Sequence, residues 1–237
     1  MDVVGRFKGN ISSNYELVTP AVLNYFELED RLSSEIAARF DKPVIVDIGI
    51  GTGLTTRAII AKNPGCVVRG VDNEPNMIRQ AKFNLEAELL NGSAEIHFCE
   101  AHEYLNGLQD ASVDVVASAF TLHNCFREYR AVLESEIIRV LKPGGMFINL
   151  DKYAADDRQE YDRELTDQII RYDVLKESGR DDLRKTWIQH EIEDQDPDRI
   201  MWTQESLEQL KAIGFAEVSL ILRIAQYAIM VAKRPKG

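Results

Sequence analysis

Val44-Ile-Val-Asp-Ile-Gly-Ile-Gly-Thr-Gly-Leu54 is the stretch on which the reading of this chain turns. A β-branched run ends at Asp47, glycines follow at every second position (Gly49, Gly51, Gly53), and a helix-forming segment begins. A second β-branched run, Cys66-Val-Val-Arg-Gly-Val71, ends in another acid, Asp72. The order is strand, glycine turn, helix, parallel strand, acid. Glycines let a backbone come close to a ligand where a Cβ would clash. An acid at the second strand's tip is placed to accept hydrogen bonds from ribose hydroxyls. The arrangement reads as a site for a nucleoside-containing cofactor.

Spacing decides which cofactor. The dinucleotide fingerprint G-x-G-x-x-G requires its third glycine where Leu54 stands, but Gly53 comes one place early. With Asp47 before the turn and Asp72 after it, the pattern resembles the first two motifs of class I S-adenosylmethionine-dependent methyltransferases. Further segments follow that family's order. Ser93-Ala-Glu-Ile-His-Phe-Cys-Glu-Ala101 is similar to its third strand, with Glu100 where an acid often faces the adenine amino group. Ser112–Ser118 is similar to its fourth strand, followed by Ala119-Phe-Thr-Leu-His-Asn124. Leu141-Lys-Pro-Gly-Gly-Met-Phe147 is similar to the turn into its fifth, and Ile213-Gly-Phe215 precedes a closing strand pair. The resemblance runs from about Val44 to the C-terminus, with a variable stretch after Asp151. It implies an α/β, Rossmann-like seven-stranded sheet, mostly parallel with one antiparallel C-terminal strand, and helices on both faces. It implies S-adenosylmethionine as cofactor; that molecule has no pyrophosphate, so the glycine turn need not cradle an anion.

The wider pattern agrees. Strands are expected near 43–48, 67–71, 95–99, 113–118 and 145–150, with helices near 53–62, 75–91 and 125–141, an alternation that means a parallel sheet with right-handed crossovers. Ala216–Leu222 and Ala225–Ala232 have too short a link for a crossover helix and form an antiparallel pair after a helix near 204–213. One domain, 1–237, is expected. Its N-terminal segment, 1–42, reads as broken helices from about Tyr15 to Phe40, with Pro20 in a first turn. It either caps the cofactor or simply packs. Residues 152–200 break the alternation as a helical insertion and possible lid, with two charged helices at Asp156–Gly179 and Asp181–Glu193.

The chain has 237 residues, 45% hydrophobic and 28% charged, ordinary for a globular protein able to bury a sizeable core. Its 39 acids against 28 lysines and arginines give a net charge of −11, which repels phosphate backbones and argues against a nucleic-acid partner. Cys66, Cys99 and Cys125 lie apart without metal-ligand spacing, so no metal is expected and reduced thiols of a cytoplasmic protein are. The first residues carry no signal-peptide apolar region, and no apolar run approaches about 18 residues, so no membrane partner is expected. The oligomeric state is left open.

Cofactor contacts are expected from Asp47, Gly49, Gly51, Gly53, Asp72, Asn73, Met77, Glu100 and Ala101. Asp72 would hold the ribose and Asp47 would face the cofactor's ammonium, directly or through water. Met77 either packs on the adenine or is ordinary core. Methyl transfer requires alignment and exclusion of water, and a general base only for a protonated acceptor. Ligands of open α/β sheets sit at the strands' C-terminal edge, just where Phe120, His123 and Asn124 follow the fourth strand. His123 and Asn124 are the catalytic candidates: His123 either takes a proton or orients an acceptor, or is a helix-start histidine with Asn124 as N-cap. His97 reads as core, His102 as a loop residue, and Trp187 and His190 as helix packing. N/D-P-P-Y/F and Pro-Cys signatures of base methylation are absent, which favours a small-molecule acceptor. Val71–Ile78 and Phe120-Thr-Leu-His also resemble carboxy-S-adenosylmethionine synthase, which turns the cofactor's methyl into a carboxymethyl group and needs a cation for the new carboxylate; Arg171, Arg184 and Arg199 are possible donors. A non-catalytic cofactor-binding module is a further reading.

Overall fold

The computed structural model describes Arg6, Phe7 and residues 9–236; residues 1–5 and 8, part of the expected N-terminal cap, and residue 237 lie outside the described residues. Seven strands form one sheet: β1 (Val44–Ile48), β2 (Val67–Asp72), β3 (Ala94–Phe98), β4 (Val113–Ala119), β5 (Leu141–Lys152), β6 (Ala216–Ile224) and β7 (Tyr227–Lys233). Their order is β3-β2-β1-β4-β5-β7-β6, with β7 antiparallel to both its neighbours. The order reverses between β1 and β4, both parallel, and leaves a crevice beyond their C-terminal ends.

The two-residue period of β1 divides the core. Val46 and Ile48 join the layer that contains Leu133 and Ile137 of the helix Arg127–Val140 and Leu210 of Thr203–Ile213. Ile45 faces the opposite layer, with Leu28, Leu32 and Ile36 of Tyr25–Ala37 and Ile59 of Leu54–Lys62. Alternate residues of a strand point to opposite faces, so one β-branched run fills both layers.

Several local expectations change. The helix expected over 75–91 breaks at Leu85 into Pro75–Asn84 and Glu86–Asn91. Leu85 is fully buried against Gly53, and Asn84 Nδ2 donates to the Thr52 carbonyl at 2.9 Å, so the break follows the glycine turn it packs on. Pro20 does not start a helix: it lies inside the 3-10 turn Tyr15–Ala21, and the α-helix begins at Tyr25. The insertion holds three helices, Arg158–Arg171, Asp173–Glu177 and Asp181–Glu193. They are less uniformly solvated than their charge suggests. Tyr172, Leu175, Leu183 and Trp187 form a cluster with Ile11, Val18 and Ala21 of the N-terminal segment. Each large apolar side chain buried there contributes about 1.5–3 kcal/mol. The base of the insertion is pinned where Ala154 pairs with Trp202 and Ala154 N–H donates to Met201 O at 2.8 Å. No helix among the described residues is long and apolar enough to cross a membrane.

Candidate active site

Past Ile48 the chain turns through three glycines in the left-handed region, at φ 70°, 55° and 88° for Gly49, Gly51 and Gly53. Their surroundings differ. A Cβ on Gly49 would run into the Thr121 side chain, and one on Gly53 would lie 2.8 Å from Leu85 Cδ1. A Cβ on Gly51 would meet nothing nearer than Gly49 O at 3.9 Å. Gly49 and Gly53 are therefore required by packing, whereas Gly51 borders open space. That space is a partly open cavity at the switch point.

Seven of the nine expected cofactor residues line it: Gly49, Gly51, Asp72 and Asn73 on one side, Met77, Glu100 and Ala101 on another. Asp72 Oδ2 accepts the Gly51 N–H at 2.9 Å and Oδ1 accepts the Glu74 N–H at 2.9 Å. Burial raises its carboxyl despite those bonds. Asn73 Nδ2 donates to Glu100 Oε1 at 2.8 Å, which joins the tips of β2 and β3. Met77 is 3% exposed and lines the cavity too, so the core and ligand readings describe one position.

Gly53 and Asp47 stand behind the wall. Asp47 Oδ2 accepts the Thr56 hydroxyl at 2.6 Å, while the buried Oδ1 has no partner among the described residues. Beside it Glu29 Oε1 accepts the Thr55 hydroxyl at 2.8 Å and leaves Oε2 equally unpaired. Burial pushes both carboxyls up to about 7. Glu29 belongs to no motif, but it shares the apolar helix face of Tyr25, Leu28, Leu32 and Ile36, an anomaly visible in the sequence. An unpaired buried acid beneath a glycine turn suits a cationic ligand group. Gly51's open flank and Asp72 at the edge suit a ribose, so these residues fit S-adenosylmethionine.

The roof is Arg6, Phe7 and Tyr15, which the sequence did not single out. Arg6 Nη1 donates to Asn124 Oδ1 at 2.9 Å and to Asp194 Oδ1 at 2.6 Å. No insertion residue lines this cavity; the insertion packs behind the roof, with Trp187 6.3 Å from Phe7 and 6.0 Å from Tyr15 between ring centroids. Cys125 also lines the cavity, but burial pushes its thiol up to about 12, which rules it out as a ready nucleophile.

Of the two catalytic candidates, Asn124 lines the cavity and His123 does not. Neither caps a long helix: Leu122–Asn124 is a 3-10 turn, and the next helix starts at Arg127. His123 is buried, with Nδ1 2.5 Å from Asp151 Oδ1 at the tip of β5. Around it runs an ionic network. Lys152 Nζ donates to Glu191 and Asp194, each at 2.8 Å, and Tyr172 donates to Glu191 at 2.7 Å. Burial would raise the Asp194 carboxyl, but Lys152, His123, His190 and Arg6 hold it well below the usual carboxylate range. Ligand atoms of His123, His190 and Asp194 lie within 4.8 Å of one another, yet Lys152 and Arg6 already supply the positive charge Asp194 needs. Of the remaining histidines, His97 is half-exposed against Tyr104 rather than core, and His102 lies in the helix Ala101–Asn106, 3.2 Å from the Tyr129 hydroxyl. Trp187 and His190 are buried, as helix packing requires.

Comparison with known proteins agrees with this geometry. Residues 46–149 match a family model described as a methyltransferase domain. Carboxy-S-adenosyl-L-methionine synthase of Pseudomonas fluorescens is 31% identical over 208 residues, which cover 83% of this chain and 79% of that protein. Among solved structures, an S-adenosylmethionine-dependent methyltransferase from Aquifex aeolicus superposes with a TM-score of 0.62 at 17% identity, covering 96% of this chain and all of that one. An O-methyltransferase family protein from Burkholderia thailandensis gives 0.65 at 18% identity and covers 90% of this chain; the chain spans only 56% of that longer protein. At such identities the structures speak for the fold alone. The glycine turn, the acid at the tip of β2, the sheet order and these relatives together place the chain in the class I S-adenosylmethionine-dependent methyltransferase superfamily.

Proposed function

We propose that the protein transfers the methyl group of S-adenosylmethionine to a small-molecule acceptor. The observation that carries this reading is the roofed cavity. Gly51 and Asp72 form one wall, Phe120 and Asn124 another, and Arg6, Phe7 and Tyr15 a cover from a separate part of the chain. When bound, the cofactor supplies a methyl activated by sulfonium together with its leaving group. The residues supply the rest. Asp72 and the Gly51 backbone hold the nucleoside, and Asn73 and Glu100 fix the adenine edge. Asp47, with its unpaired oxygen, balances the ammonium. Phe7 and Tyr15 exclude water while Phe120 and Asn124 face the acceptor.

The curated relatives favour a second reading, carboxymethylation of the cofactor itself. It requires a free cation at the methyl. Arg171, Arg184 and Arg199 do not line the cavity; Arg184 pairs with Asp173, and Arg199 donates to the Asn124 carbonyl. Arg6 does line it but is committed to Asp194 and Asn124. This is why methyl transfer is preferred. Incubation with trideuteromethyl-labelled cofactor and a small-molecule extract separates the two. Deuterated methyl on a new small molecule, with matching S-adenosylhomocysteine, supports transfer. Label retained in a carboxymethylated nucleoside overturns it.

A further inference from the structure

The sheet ends in two edges, β6 and β3, and they are finished differently. The β6 edge is blunted: its register against β7 shifts twice, and Glu217 adopts a φ of +48° within it. β3 keeps an unbroken parallel register with β2 from Ala94 to Phe98 and contains no proline. Such an edge is a template for a further strand. Its flank is also apolar. Phe98 is 61% exposed, and Phe83 and Leu90, exposed at 82% and 84%, stand on the helices Pro75–Asn84 and Glu86–Asn91, whose inner faces pack on Ile96 of β3.

The hydrogen bonds of β2 and β3 show which groups remain free. Val68 N–H donates to Ser93 O at 2.9 Å, and Cys99 N–H donates to Asp72 O at 3.2 Å. In a parallel ladder the backbone groups of alternate residues face opposite sides. Ser93, Glu95, His97 and Cys99 therefore serve β2, while Ala94, Ile96 and Phe98 turn both N–H and C=O outward. None of those outward groups has a partner among the described residues.

Two copies of this edge can meet antiparallel about a two-fold axis. A register centred on Glu95 or on His97 sets like side chains face to face and leaves one outward residue unpaired. The register centred on Ile96 pairs all of them: Ile96 with the partner's Ile96, and Ala94 with the partner's Phe98 in both directions. Each is a hydrogen-bonded pair that exchanges two bonds. Between them Glu95 falls opposite the partner's His97, in the non-hydrogen-bonded position where side chains approach most closely. Both side chains are partly exposed, at 47% and 37%, with His97 leaning on Tyr104. A large ring thus lies over the smallest side chain of the strand, and an acid meets an imidazole.

We propose that the β3 edge is a homodimer interface, in which two copies of the chain join their sheets through Ala94–Phe98 in the register centred on Ile96. A two-fold contact of this kind consumes the edge in both copies, so assembly stops at two. The pairing needs no ligand and is independent of the reaction catalysed.

Sedimentation equilibrium of the full chain tests this. A short strand contact should give a monomer–dimer equilibrium with a Kd of about 1–100 μM. Amide exchange at Ala94, Ile96 and Phe98 should slow as protein concentration rises through that range. Ile96→Pro removes one outward N–H and should abolish the dimer, with circular dichroism confirming the fold. His97→Glu sets like charges across the contact and should weaken the dimer about tenfold or more, whereas Glu95→Lys combined with His97→Glu should restore the Kd to within about threefold of wild type. A chain that stays monomeric at about ten times the upper end of that range overturns the inference and leaves the edge to a strand of another protein. So does a dimer that His97→Glu leaves unchanged, or one whose formation leaves exchange at Ala94, Ile96 and Phe98 unaltered, since it would form through another face.

Discussion

Asp72, at the tip of β2, accepts the backbone N–H of Gly51, in the turn after β1, at 2.9 Å. One carboxylate thus fixes the height of the glycine turn and presents its edge to the cavity. Asp72→Ala should weaken S-adenosylmethionine binding by about 1–3 kcal/mol, the loss expected for a hydrogen bond to a charged group. Asp72→Asn keeps an oxygen for the Gly51 N–H and should fall between. Calorimetric titration of both variants is the check; wild-type affinity in Asp72→Ala removes it from the site.

The three glycines should separate by experiment. Gly49→Ala and Gly53→Ala place a Cβ against Thr121 and Leu85, so both should lower the melting temperature. Gly51→Val meets open space and should abolish cofactor binding while the circular dichroism spectrum stays native, with a stability loss of about 1–2 kcal/mol from its positive φ. Normal binding by Gly51→Val would show that the ligand does not approach there.

Asp47 gives the site a pH dependence. Burial holds its carboxyl protonated up to about 7 in the free protein, whereas a bound ammonium would keep it ionised. Binding then releases a proton below pH 7, so affinity should rise from pH 6 to 8 and level off above. The same raised value means that this group's contribution to apo stability is full below its unfolded pKa of 3.8 and is lost as pH rises through about 7. Asp47→Asn should flatten both dependences. Calorimetry in buffers of different ionisation enthalpy counts the released proton directly; no release at pH 6 contradicts the assignment.

The sequence was legible where chemistry and chain order coincide. The glycine turn, Asp72, Asn73, Glu100 and the closing antiparallel β7 could be read because each belongs to one strand tip or one short link. Arg6 and Tyr15 could not: they reach the cavity through contacts with residues more than a hundred positions away, such as Asn124, Asp194 and Trp187. Asp151 could be placed at the end of β5, but only the fold brings it to His123. Met77 shows why core and ligand positions cannot be separated by periodicity, since the buried face of its helix is also the cavity wall.

A roof made of separate segments should respond to the ligand. Cofactor, or cofactor plus acceptor, is expected to slow amide exchange in residues 10–30 and, through Trp187 and Tyr172, in residues 152–200, as well as in the glycine turn. Arg6→Ala should reduce that added protection by releasing Asp194 and Asn124. Protection confined to the turn would mean that neither segment closes over the site.

A crystal structure with S-adenosylhomocysteine tests the central claim most directly. Ribose hydroxyls are expected within hydrogen-bond distance of Asp72, the adenine between Met77 and Glu100, and the sulfur directed toward Phe120 and Asn124. A nucleoside bound outside this cavity, or a ribose out of reach of Asp72, would contradict it.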